Sequence, residues 1–199
     1  AQTAWFWIDP DAGFNWSSSA QRPTKLYRAR TIALALAILL TRGGERVGAL
    51  GHAPRAGARA VDRLAHDFLQ PVRDADAPTN SCVVFISDFY APVETWRDRL
   101  RACASAGATG ALMMIADPAE EDFPFQGRTL FRAPGGRGEV LIGRAEVAQA
   151  TYAERLESHR RAIRAVGAEF NFPALLHRTD HGASPALAML IALISERFA

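Results

Sequence analysis

Apolar residues recur along the chain in two alternating rhythms. Short apolar runs at residues 4–8, 82–86 and 111–115, together with the segment 46–51, predict buried strands. Between and after them, apolar residues spaced three and four apart predict helices over residues 24–42, 58–69, 93–106 and 145–166. Gly43-Gly44 and Gly107 supply stop signals. The second half of the first helix is apolar on every side, which predicts burial by neighbours rather than a surface position. A linker rich in Asp, Ala and Pro spans residues 74–80. Residues 128–131 and 140–142 flank Pro134-Gly135-Gly136-Arg137-Gly138 and predict a small hairpin. A last strand is expected over about residues 169–176, followed by an apolar helix capped by Ser184 with Pro185 at its first position. Within the first strand, period two sets Trp5 and Trp7 on one face and Phe6 and Ile8 on the other.

Strands that are apolar throughout and alternate with helices predict an α/β fold: a doubly wound, mostly parallel sheet with helices on both faces and a small inserted β-hairpin. At 199 residues, a single domain is the simplest organisation. The apolar content of 49% and charged content of 22% exclude a disordered or disulfide-stapled chain. Net charge is only +2, too balanced to imply a nucleic-acid partner. The apolar run at residues 32–40 falls far short of the ~20 residues of a membrane helix, so no membrane insertion is expected. No basic segment precedes Trp5-Phe6-Trp7-Ile8, so no signal peptide is expected and the predicted location is cytoplasmic. Cys82 and Cys103 fall in apolar or alanine-rich surroundings and read as buried thiols in a reducing compartment. The basic set is 22 arginines against a single lysine, Lys25; beside 38 alanines this reads as codon bias, so arginine abundance carries little functional weight.

Candidate chemistry lies where the strands end. The first strand runs out at Asp9-Pro10-Asp11, the central one at Ser87-Asp88, the next at Asp117-Pro118 and the last at Thr179-Asp180. In open α/β sheets ligands bind outside the carboxyl ends of the strands, so these acids are expected to line one rim. Like charges crowded together repel unless a cation sits among them. An aspartate at a strand end also caps the turn or helix that follows, the plainer role for any one of them.

Two known patterns fit Asp-x-Asp after a first buried strand. Asp9-Pro10-Asp11 matches the first element of haloacid-dehalogenase phosphatases, with Asp9 as nucleophile, Mg²⁺ as cofactor and Ser87 as the later hydroxyl. That pattern also needs a basic residue downstream of the hydroxyl, whereas Lys25 lies upstream. The metal-ion-dependent adhesion site of von Willebrand factor A domains takes an Asp-x-Ser-x-Ser loop, a loop threonine and a second aspartate around Mg²⁺ or another divalent cation. Asp9 and Asp88 occupy the acidic positions, but Asp11 and Gly13 replace the serines and no Ser or Thr occurs over residues 43–76. A degenerate cation site of Asp9, Asp11 and Asp88 is the resulting expectation. Other candidates read as structural. His177 and His181 have helical metal spacing where a strand has just ended, and His52 reads as a loop residue.

The segment from Asp9 through Ser17-Ser18-Ser19, Pro23-Thr24-Lys25, and Arg42-Gly43-Gly44-Glu45-Arg46-Val47-Gly48 resembles the bacterial domain-of-unknown-function family 58. So do Phe123-Pro124-Phe125-Gln126-Gly127-Arg128, Leu141-Ile142-Gly143-Arg144-Ala145, Tyr152-Ala153-Glu154-Arg155-Leu156 and Leu175-Leu176-His177-Arg178-Thr179-Asp180, across residues 4–195 in all. The resemblance implies a von Willebrand factor A-like, Rossmann-like fold and a non-enzymatic adaptor or protein-interaction role, with a MoxR-type AAA+ ATPase as the partner. It also implies a segment ahead of this domain, with Tyr-x-Pro-Gly-Asp and Ile-x-Trp signatures that do not occur here, so residues 1–199 are expected to be one domain of a longer protein. The interaction rim is expected to include Trp16, Ser17, Asp117 and Asp180.

Overall fold

Strands apolar on both faces must be covered on both, and the chain meets that demand in three layers. The computed structural model describes residues 2–133 and 138–195. The elements run β1 (Thr3–Ile8), α1 (Lys25–Arg42), β2 (Arg46–Ala49), α2 (Ala60–Asp67), β3 (Cys82–Ser87), α3 (Val93–Ser105), β4 (Thr109–Ala116), α4 (Pro118–Asp122), β5 (Thr129–Arg132), β6 (Glu139–Ile142), α5 (Ala145–Glu169), β7 (Ala174–Arg178) and α6 (Ala183–Ser195). Five parallel strands form one sheet in the order β2-β1-β3-β4-β7, and β5 and β6 form a separate antiparallel hairpin. This is the doubly wound, Rossmann-like α/β fold that the alternation predicts. The hairpin's connection, expected from Pro134-Gly135-Gly136-Arg137, lies outside the described residues.

Period two sorts the core. Ala4, Phe6 and Ile8 join Val84, Ile86, Met113 and Ile115 beneath α1, α2 and α6. Trp5 and Trp7 join Val83, Phe85, Leu112 and Met114 on the other face, beneath α3 and α5. Both cysteines are buried. The 74–80 linker does more than connect. Ala75 and Ala77 pack onto the second face, beside which the Arg73 carbonyl accepts hydrogen bonds from Trp7 Nε1 at 3.1 Å and Arg99 at 3.3 Å. The Arg99 guanidinium lies 4.0 Å above the Trp7 ring, so a stacked cation and a tied-down loop cover that part of the face.

Several boundaries depart from the sequence pattern. α5 continues to Glu169, and β7 begins at Ala174 rather than near residue 169, because Asn171 takes a left-handed conformation (φ 66°) and Phe172 N bonds back to the Gly167 carbonyl at 2.7 Å. α6 starts at Ala183, so Ser184 lies inside the helix rather than capping it. α1 is not wholly covered: Ile38 and Leu39 are exposed. Short local hydrogen bonds, rather than periodicity, build the one-turn helix α4 and a 3-10 turn at Ala12–Phe14.

Two predictions follow from the packing. Gly110 pairs with Val83 across β4 and β3, and a Cβ there would meet the Val83 carbonyl at 1.7 Å. Gly110→Ala is therefore expected to cost about 3 kcal/mol in chemical denaturation through overpacking. His177, on β7, is buried with Nε2 unpartnered, and burial together with the nearby Arg28 charge pushes its pKa from 6.5 down to about 4. The folded state therefore resists the proton that the unfolded chain takes up near pH 6.5. The stability is complete above that pH and is lost as pH falls towards 4. Between pH 7 and 5 this loss should be about 2 kcal/mol, and urea titrations of His177→Gln should lack that component.

Candidate functional site

The strand order places the topological switch point between β1 and β3, because β1 leads outward to β2 and β3 leads the other way to β4. Asp9 and Asp88 follow those two strands directly. Asp9 N donates to the Ile86 carbonyl at 2.9 Å, so the loop after β1 is fastened to β3. The Asp9 carboxylate accepts from Asp11 N at 2.9 Å and from the Ser87 hydroxyl at 2.6 Å. Burial raises its pKa, the Ser87 and Asp11 hydrogen bonds oppose the shift, and the charges of Asp88 and Asp11 add to it. Asp11 caps the 3-10 turn, accepting from Gly13 N at 2.8 Å.

At the centre stands Lys25, the first residue of α1, set there by the Thr24 N-cap, whose hydroxyl accepts from Tyr27 N at 3.1 Å. Only 2% of Lys25 is exposed. Its Nζ donates to Asp88 Oδ2 at 2.8 Å and to Glu120 Oε1 at 2.6 Å. The rings of Tyr90, Phe14 and Trp16 surround the ammonium at 5.2, 5.9 and 5.9 Å. Burial alone would lower the lysine's pKa, but the charges of Asp88 and Glu120 and their hydrogen bonds carry it above the ordinary value. Burial raises the Glu120 pKa despite Lys25.

Glu120 is held from its other oxygen. Asp117 and Glu120 form a capping box around α4: Ala119 N donates to Asp117 Oδ1 and Asp117 N to Glu120 Oε2, both at 2.9 Å. Asp117 Oδ2 also accepts from Ser18 N at 2.9 Å, which ties the long loop after β1 down to α4. Two non-glycine residues beside this network take left-handed backbone: Phe89 (φ 60°), after Asp88, and Phe123 (φ 43°), after α4. Packing supports that strain. Phe89 lies against Trp96 with centroids 4.3 Å apart, and its carbonyl accepts from His159 at 2.7 Å.

Opposite the rim, the β5–β6 hairpin is anchored by Phe131, which stacks on Phe123 at 5.7 Å and meets Phe125 edge-on at 5.1 Å. A groove of about 980 Å³ runs between hairpin and rim, lined by Asp9, Asp88, Lys25 and Glu120 among charged groups and by Trp16, Tyr90, Phe125 and Leu130 among apolar ones.

The expected rim residues therefore meet different fates. Asp9, Asp11, Asp88 and Trp16 line the groove. Ser17 turns its hydroxyl onto the Ser19 carbonyl at 2.9 Å. Asp117 is fully buried as a cap, so it presents no carboxylate to a partner; the proline after it starts α4, and the cap draws the side chain inward. Asp180 is exposed and shares Arg178 with Asp122, and the Arg178 hydrogen bond holds its carboxyl below the usual range. His52 bonds to the Gln70 carbonyl at 2.9 Å, a loop tie. Among the described residues, no three His, Cys, Asp or Glu side chains stand together so as to hold a metal ion. In this arrangement Asp9, Asp11 and Asp88 do not fit a divalent cation: Asp9 and Asp11 are turned to backbone amides and Ser87, and Asp88 to Lys25.

Sequence order misplaced Lys25, which the fold delivers to the rim from α1 although it precedes Ser87 by many residues. Sequence periodicity does not mark Glu120; its one signal is the capping-box spacing Asp117-Pro118-Ala119-Glu120. Lys25→Met is expected to destabilise the domain by about 3 kcal/mol or more in urea, since it strands two carboxylates of low exposure. That loss should shrink as pH is lowered towards 5, because burial raises the Glu120 pKa and lets a proton replace the missing charge.

Comparison with solved structures finds the same fold. The conserved hypothetical protein BatB from Bacteroides thetaiotaomicron superposes with a TM-score of 0.56 at 12% identity, covering 100% of this chain and 99% of that one. An aerotolerance-related membrane protein from Bacteroides fragilis NCTC 9343, with multiple mutations to serines, superposes with a TM-score of 0.58 at 11% identity, covering 98% and 100%. Among the described residues of this chain, no helix is long and apolar enough to cross a membrane. No curated protein matches the chain in sequence. The family described as Protein of unknown function DUF58 matches residues 1–162, and the chain belongs to that family.

Proposed function

We propose that this domain is a non-enzymatic protein-interaction or adaptor module that takes its partner in the groove between the carboxyl rim and the β5–β6 hairpin. The observation that carries the reading is the composition of that groove. Trp16, Tyr90 and Leu130 are 38%, 40% and 44% exposed along it, and large aromatic and aliphatic side chains of this kind anchor protein interfaces. Lys25, Asp88 and Glu120 beside them are committed to one another rather than poised for chemistry. The groove carries four acids (Asp9, Asp11, Asp88, Glu120) against three bases (Lys25, Arg73, Arg132), so its formal balance is one negative charge. That balance favours a basic side chain on the partner, whose approach it would steer. The rim has the position of an adhesion site in a von Willebrand factor A domain, in degenerate form. The partner we propose is the MoxR-type AAA+ ATPase that the family resemblance implies.

A phosphatase using Asp9 as nucleophile gains no support from the geometry. Ser87, the hydroxyl that pattern requires, is fully buried and donates to Asp9 itself.

With a MoxR-type ATPase from the same genome in a pull-down, Trp16→Ala and Leu130→Ser should each weaken capture about tenfold or more, as for interface anchors. Arg101→Ala, on the exposed surface of α3 beside Phe170, should leave capture unchanged. Equal capture by all variants would remove the groove from the interaction. Hydrolysis of p-nitrophenyl phosphate that vanishes in Asp9→Asn would replace this reading with the enzymatic one.

A further inference from the structure

We infer that the Lys25 ammonium is a built-in substitute for the divalent cation of an adhesion-type rim, which makes the rim of this domain metal-independent. Asp88 at the end of β3 and Glu120 on α4 come from separate elements yet aim one oxygen each at the same point, where Nζ lies 2.8 and 2.6 Å away. Carboxylates converging from different loops are how a protein holds a hard cation; here the positive charge arrives on a side chain.

With Lys25 in place, the rest of the surroundings suits an ammonium and not a metal. Mg²⁺ and its relatives need six or more oxygen ligands and keep several waters. Around Lys25 the remaining approaches face Phe14, Trp16 and Tyr90, and ring faces attract an ammonium but supply no ligand oxygen to a divalent ion. Asp9, the acid that would complete a metal site, spends its oxygens on Ser87 and Asp11 N. The residue type fits as well. In a chain with 22 arginines, the one lysine stands where two carboxylates are met by one compact point charge. The ammonium also cannot be washed out by a chelator, so the rim holds its cation permanently.

The test follows metal, not partner, and so stands apart from the docking reading. Wild-type protein, Lys25→Arg, Asp88→Asn, Lys25→Ser and the double variant Lys25→Ser with Asp88→Asn are titrated with Mn²⁺, following the electron paramagnetic resonance signal of the free ion. Terbium emission sensitised through Trp16 then reports where an ion sits. Wild type and Lys25→Arg should leave millimolar Mn²⁺ free and show no change in Tm. Lys25→Ser should bind Mn²⁺, light up terbium and gain roughly 5 °C in Tm at saturating metal, since a ligand of the native state alone stabilises it. The double variant should lose all three gains. Wild-type binding of Mn²⁺ that Asp88→Asn abolishes would overturn the inference, and that measurement does not depend on whether Lys25→Ser folds. A folded Lys25→Ser that ignores both ions would overturn it equally.

Discussion

One ammonium group joins the pieces of the rim. Lys25 reaches from the first turn of α1 to Asp88 after β3 and Glu120 on α4, and so ties three elements that are far apart in sequence to a single point. Taking a lysine and two carboxylates out of water is costly, and the arrangement is tolerable only because the three charges satisfy one another at short range. The dependence is mutual. Without Glu120 the lysine would retain one partner, and without Asp117 the Glu120 oxygen that faces Lys25 would lose the capping box that aims it. Through Ser18, Asp117 also fixes the loop after β1, so the shape of the groove wall traces back to the same ion network.

The sheet explains why this network forms where it does. With β1 and β3 adjacent and their crossovers departing in opposite directions, the loops beyond them part and leave a crevice. The acids that follow those strands crowd at the mouth of that crevice, and burial there raises the Asp9 and Glu120 pKa values. A cation is needed at such a place, and α1, which leads away from β1, begins beside it. Left-handed backbone at Phe89 and Phe123 brackets the site, and the rings of Trp96 and Phe131, packed against them, over-determine both positions. The hairpin owes its position to Phe131, which packs on Phe123 and Phe125, so aromatic contacts seat that wall of the groove.

Much of this was legible in the residues. Uninterrupted apolar strands foretold a parallel sheet, and period two assigned Trp5 and Trp7 to one core layer and Phe6 and Ile8 to the other. Of the aspartates at the strand ends, Asp9, Asp11 and Asp88 line one groove, while Asp117 and Asp180 do not. Errors arose where local hydrogen bonding competes with periodicity. Asn171 and the bond from Phe172 to Gly167 moved the start of β7, and the Asp117 capping box made a helix out of a segment with no apolar rhythm. Asp117 itself looked like its neighbours on the rim, because a capping carboxylate and an exposed one are the same residue in a sequence.

The sequence by itself determined the layers, the order in which strands and helices alternate, and the acidic character of one end, because side-chain periodicity and strand-end chemistry are local properties. Only the tertiary structure decided what neutralises those acids. A lysine's reach is set by the direction in which its helix leaves the sheet, and no spacing along the chain encodes that direction. Read in sequence, Lys25 lay on the wrong side of Ser87. In the fold it is the charge on which the rim closes, because parallel crossovers bring the start of α1 to the same edge as the ends of β1 and β3.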